Sequence, residues 1–75
     1  MHAGERDGLT PRETEVLGWV ARGHTNKQVA AILGTSPHTV RTHLEHVFEK
    51  LEVHTRTAAA AKAHGLLSAG GVPRT

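Results

Sequence analysis

Apolar residues recur at helical spacing in successive stretches of the chain, each closed by glycine or opened by a hydroxyl residue. The clearest stripe is Val40, Leu44, Val47, Phe48 and Leu51, at i, i+4, i+7, i+8 and i+11, which gives one apolar face over three turns. His38, Thr42, Glu45 and Glu49 fall on the opposite face, with Arg41 on the flank. Ser36 can cap this helix and Pro37 suits its first position, so the pattern predicts a helix over 37–51. Upstream, Val29, Ile32 and Leu33 predict a shorter buried stripe. Thr25 or Asn26 caps it, Gln28 completes a capping box, and Gly34 permits a left-handed exit, which sets the helix at about 26–33.

Two further helices frame this pair. Thr10-Pro11-Arg12-Glu13 is a capping box with proline at the first helical position, and Val16, Leu17 and Val20 share one face, which predicts a helix over about 11–22 that stops at Gly23. Glu13 and Glu15 suit the positive end of its dipole. After the short connection Glu52-Val53-His54, Thr55 caps an alanine-rich helix over about 56–64, with Gly65 as its stop and Leu66 and Leu67 folding back on the core. Residues 1–8 read as a frayed lead-in or linker remnant and 68–75 as a disordered tail, which leaves one all-α four-helix domain over 9–67.

The stretch from Thr25 to Leu51 reads as a helix-turn-helix. Ala30 is small where two helices must cross closely, Gly34 suits the turn, and Val40 anchors the second helix. Charge placement agrees. Arg6 and Arg12 stand against Glu5, Asp7, Glu13 and Glu15 in the first twenty residues, a net −2, whereas Arg22, Lys27, Arg41, Lys50, Arg56, Lys62 and Arg74 face only Glu45, Glu49 and Glu52 beyond them, a net +4. A polyanion would meet the positive part of that field. At 75 residues with no cysteine, the chain can brace itself neither by disulfides nor by a thiolate zinc site. Its longest apolar run, Ala58 to Ala61, is far short of the roughly 20 residues of a spanning helix. Residues 1–10 hold no signal-peptide core, so a cytoplasmic protein is expected.

A wider set of residues points to one family: Leu9-Thr10, Arg12-Glu13, Glu15-Val16-Leu17, Gly23, Asn26-Lys27, Ala30, Leu33, Ser36, Thr39-Val40-Arg41, His43, Lys50-Leu51, Val53 and Arg56. In this register the chain resembles the LuxR-type (GerE-like) DNA-binding domain found at the C-terminus of NarL/FixJ-type response regulators and quorum-sensing regulators. The resemblance covers about residues 9–67. It implies sequence-specific binding of double-stranded DNA by a transcription regulator, with the 37–51 helix in the major groove, the 26–33 helix bracing it, and the last helix pairing two copies on DNA. RNA polymerase is a further partner that such a regulator would contact. Nothing in the chain resembles a receiver with a phosphoryl-accepting aspartate, so it reads as an excised C-terminal domain or a small stand-alone regulator.

The resemblance also distributes roles. Arg41 and Thr42 stand where relatives touch base edges; arginine can clamp guanine O6 and N7, and threonine can offer its hydroxyl or its methyl. Arg41 on phosphate alone is the plainer alternative. Glu45 departs from a position that is often basic in relatives, and either accepts from cytosine N4 or pairs with Arg41 one turn back, the reading favoured here. Asn26, Lys27 and Thr39 form the phosphate set, with His43, Lys50, His54 and Arg56 as further backbone contacts. For Lys50 and Arg56 a solvated surface role stands beside that one. Glu13 could pair with a basic residue of the DNA-facing side in addition to its cap.

Ala59, Lys62 and Ala63 are the expected dimer face, unless the alanines fill a contact within the chain. Such a small face predicts a monomer in solution at micromolar concentration and a homodimer on DNA. His43 and His46 lie three apart on one helix, but zinc would need further ligands and no metal or cofactor is expected. The histidines instead would make DNA affinity rise as pH falls through about 6.5. No nucleophile, base and orienter are assembled, so no enzyme is expected. A helical protein-interaction module that keeps the fold without reading DNA is the competing function.

Overall fold

The computed structural model describes residues 8–68, with side chains as far as residue 65. Four helices fill them: α1 (Pro11–Ala21), α2 (Asn26–Leu33), α3 (Pro37–Leu51) and α4 (Arg56–Ser68). The expectations for residues 1–7 and 69–75, and for Leu66 and Leu67 folding on the core, lie outside the described residues and side chains.

Each helix starts where local cap chemistry dictates. Thr10 Oγ1 accepts from the Glu13 N–H at 3.1 Å and Glu13 Oε1 accepts from the Thr10 N–H at 3.0 Å, with Pro11 leaving no orphan donor at the first position. Thr25, not Asn26, caps α2, and Gln28 returns the bond. Ser36 Oγ accepts from the Thr39 N–H, and Thr55 Oγ1 accepts from the Ala58 N–H. Caps of this kind each contribute about 1 kcal/mol.

The ends are less uniform. Gly34 closes α2 in the left-handed region (φ 72°, ψ 36°), as the turn into α3 requires. Glu52 closes α3 in the same region (φ 58°, ψ 46°) although it carries a Cβ, at a cost of about 1 kcal/mol. Helix α1 stops at Ala21, one residue short of expectation. Helix α4 corrects the reading of Gly65 as a stop, because it runs on to Ser68. A lone glycine inside a helix costs only about 1 kcal/mol relative to alanine, and the alanines before it favour continuation.

The core has two lobes. Leu9, Leu17, Val47, Leu51, Ala59 and Ala63 join α1, α3 and α4, while Val16, Val20, Val29, Ala30, Val40 and Leu44 join α1, α2 and α3. Phe48 packs against both lobes, so α3 is held along its whole apolar stripe. Val40 is fully buried, and at about 0.8 kcal/mol per buried methyl or methylene its two methyl groups contribute on the order of 2 kcal/mol. Ala30 is buried at the crossing of α2, as its small size suggested.

Ile32 is a correction: it is 46% exposed rather than buried. The inward arc of α2 is taken by Val29, Ala30 and half-buried Leu33, and a residue two positions from Ala30 sits on nearly the opposite side of the helix. Ala59 and Ala63 are also corrected, because both are fully buried in the chain's own core and present nothing to a second copy. Only Lys62 of the expected dimer face is exposed. Thr14 Oγ1 is buried without a hydrogen-bond partner among the described residues.

Candidate nucleic-acid interface

The face of α3 turned away from the core presents His38, Arg41, Thr42 and Glu45 within two turns. Arg41 Nε lies 3.5 Å from Glu45 Oε2, with the two side chains 70% and 63% exposed. This is the pairing favoured from the sequence. A surface pair so exposed stabilises by under about 1 kcal/mol, so it biases the guanidinium only weakly and yields to a stronger partner. Thr42 Oγ1 donates to the His38 carbonyl at 3.2 Å. Its proton is thereby committed, and the oxygen remains an acceptor while the methyl stays available for apolar contact. Thr39 shares a 3.0 Å hydroxyl contact with the cap Ser36, and His43 is half-buried beside it on the same helix.

The start of α2 offers a second polar group. Thr25 takes the Gln28 N–H, so the N–H groups of Asn26 and Lys27 have no acceptor within the helix. Lys27 is exposed and unpaired among the described residues. Arg56 reaches across from α4: its Nη1–H donates to Asn26 Oδ1 at 2.8 Å and its Nη2–H to the His24 carbonyl at 2.7 Å. Arg56 was read from the sequence as a phosphate contact or a solvated side chain, and neither reading included this bridge. No local spacing could have revealed a partner 30 residues away.

Lys50 likewise has an internal partner. Its Nζ donates to Glu13 Oε1 at 2.7 Å, and Lys50 is about one-third exposed while Glu13 is almost fully buried. His46 Nδ1 stands 3.7 Å from Glu13 Oε2. Burial pushes the Glu13 carboxyl up, but the Lys50 hydrogen bond, the Thr10 N–H and the charges of Lys50 and His46 together hold it below its ordinary value of 4.5. The carboxylate therefore does two tasks, capping α1 and tying the end of α3 to it. The sequence had raised a basic partner for Glu13 without naming it.

The remaining expected contacts separate. His54 lines an open groove with Glu45, Glu49 and Glu52, whose carboxylates oppose a phosphate there. Among the described residues no group of three or more histidine, cysteine or acidic side chains is placed to hold a metal ion, His43 and His46 included. No helix among them is long and apolar enough to cross a membrane.

Comparison with known proteins gives the family. A family model described as bacterial regulatory proteins, luxR family, matches residues 7–63. The chain is 42% identical over 67 residues to the transcriptional regulatory protein LiaR of Bacillus subtilis, covering 84% of this chain and 32% of that protein. It is 47% identical over 58 residues to the HTH-type quorum sensing-dependent transcriptional regulator RpaR of Rhodopseudomonas palustris, covering 77% and 24%. It is 45% identical over 51 residues to the nitrate/nitrite response regulator protein NarP of Escherichia coli, covering 68% and 24%. The chain thus spans between about a quarter and a third of the length of these relatives. No solved structure matches it.

Proposed function

The chain belongs to the luxR family of bacterial regulatory proteins, a family of DNA-binding transcription regulators, and we propose that it reads a specific double-stranded site with α3 in the major groove. The observation that carries this reading is the outward face of α3, where Arg41 is exposed and paired with Glu45 while the opposite face is fixed in the core. An exposed guanidinium on this face can clamp guanine O6 and N7, and the Thr42 acceptor and methyl suit a neighbouring base edge. Glu45 acts mainly through Arg41. A carboxylate on this face, which repels phosphate and can accept from cytosine N4, narrows the base preference of the chain.

Asn26, Lys27 and Thr39, with His43, supply backbone contacts that fix register without reading sequence. Lys50 and Arg56 contribute through Glu13 and Asn26, and His54 adds little beside three carboxylates. The binding unit is the domain over 9–67, acting in the cytoplasm. A second copy meets it on DNA through the exposed side of α4 at Thr57, Ala61 and Lys62, and the free chain is monomeric.

Titrating a labelled duplex at rising salt tests the reading. The logarithm of the association constant should fall linearly with the logarithm of salt concentration. Lys27→Ala should weaken every duplex alike and flatten that slope by about 0.9. Binding indifferent to salt would point to the protein-interaction alternative, and a loss at Lys27→Ala confined to one sequence would mean that base-reading and phosphate roles are exchanged.

A further inference from the structure

Arg56 is the first residue of α4, yet two of its guanidinium donors are committed to the segment that starts α2. The two acceptors it holds, the His24 carbonyl at 2.7 Å and Asn26 Oδ1 at 2.8 Å, flank Thr25, the residue that caps α2. A guanidinium only donates, so the Asn26 atom it meets is the amide oxygen. The amide nitrogen, with both its protons, then has no partner among the described residues. One side chain thus fixes the backbone just before α2, the rotamer of its first residue and the sense of that residue's amide.

We propose that Arg56 is a positioning residue for DNA binding: it orients the start of α2 so that Asn26 and Lys27 meet a backbone phosphate already aligned, and it does not itself neutralise that phosphate. This role rests on the DNA-binding reading above. It follows from geometry that two other uses of the residue do not share. A solvated arginine would make no fork across 30 residues of chain, and with two of its five N–H donors on internal acceptors the plane of the guanidinium is set by the His24 carbonyl and Asn26 rather than by a phosphate. The planar fork matters because a lysine ammonium carries the same charge but cannot hold a carbonyl and an amide oxygen in fixed relative positions.

The salt dependence of duplex binding separates positioning from neutralisation. With the whole 75-residue chain, Arg56→Gln and Arg56→Lys should each weaken binding to all duplexes by roughly three- to tenfold, the loss of one or two hydrogen bonds. The slope against salt should stay within about 0.3 of the unaltered chain, whereas removal of a phosphate-neutralising charge lowers it by about 0.9. Asn26→Ala leaves Arg56 in place and should reproduce most of the loss. In that background, Arg56→Lys should cost clearly less than in the unaltered chain, since only the His24 half of the fork remains to be lost. Full affinity in Arg56→Lys together with a flattened slope in Arg56→Gln would overturn the proposal in favour of direct contact. Equal cost of Arg56→Lys with and without Asn26 would overturn it too. Failure of the unaltered chain to bind any duplex would instead remove the DNA-binding reading and this role with it.

Discussion

Replacing Glu13 by glutamine isolates the charge that ties α3 to α1. The amide that takes the carboxylate's place keeps an acceptor for the Thr10 N–H, so the cap survives, but the 2.7 Å bond from Lys50 loses its ionic partner. A hydrogen bond to a charged group contributes about 1.5–3 kcal/mol net. Lys50 is one-third exposed and can turn to water, which trims the expected loss to about 1–2 kcal/mol. Glu13→Ala removes the cap bond as well and should cost about 2–3 kcal/mol. Urea unfolding followed by circular dichroism reads both directly.

The pH dependence has a definite sign. Because the folded-state carboxyl is held below its ordinary value of 4.5, its contribution is complete above that value and is lost as pH falls through the lower folded-state value. The stability gap between the unaltered chain and Glu13→Gln should therefore be constant near neutrality and close only as pH falls below the ordinary carboxylate range, through the lowered folded-state value. A double-mutant cycle with Lys50→Met should give a coupling of about 1–2 kcal/mol at about pH 7. Zero coupling, a gap that persists unchanged in acid, or a glutamine variant more stable than the parent would refute the reasoning.

Four smaller perturbations follow from the same structure. Thr14→Val replaces an unpartnered buried hydroxyl by a methyl of similar shape and should raise stability by about 1 kcal/mol, read by the urea midpoint. Glu52→Gly relieves a left-handed residue that bears a Cβ and should stabilise by about 0.5–1 kcal/mol, provided calorimetry shows an unchanged transition width. Ala63→Leu overpacks the core and should cost about 1–3 kcal/mol, whereas Ala61→Glu on the exposed side of α4 should leave the melting temperature nearly unchanged yet prevent two copies from pairing on DNA. If Ala61→Glu leaves pairing intact, the second copy uses another surface.

The four starts were legible because cap chemistry acts over three residues: Thr10 with Glu13, Thr25 with Gln28, Ser36 with Thr39 and Thr55 with Ala58 are all local. The apolar stripe of α3 was legible for a related reason, since a helix of fifteen residues repeats its period often enough to define an inward side. Helix α2 has only eight residues, and which arc of it faces inward depends on how closely Ala30 lets it approach its neighbours. Ile32 was misplaced on that account. In α4 alanine occurs on every face, so no pattern distinguishes Ala59 and Ala63, which are buried, from Ala61, which is not. Among the proposed interface residues, the Arg41–Glu45 pair could be read because it lies one helical turn apart. The partners of Lys50 and Arg56 could not, because tertiary packing alone brings Glu13, His24 and Asn26 to them.

Selection of bound duplexes from a random pool, run in parallel for the unaltered chain and for Arg41→Ala, tests most directly whether α3 reads sequence. The parent should enrich two half-sites related by a two-fold axis, and Arg41→Ala should lose preference at a guanine in each half-site, a change of about 1–3 kcal/mol, while keeping the others. A parent pool no different from the input, or an unchanged preference in Arg41→Ala, would contradict the assignment of α3 as the reading helix.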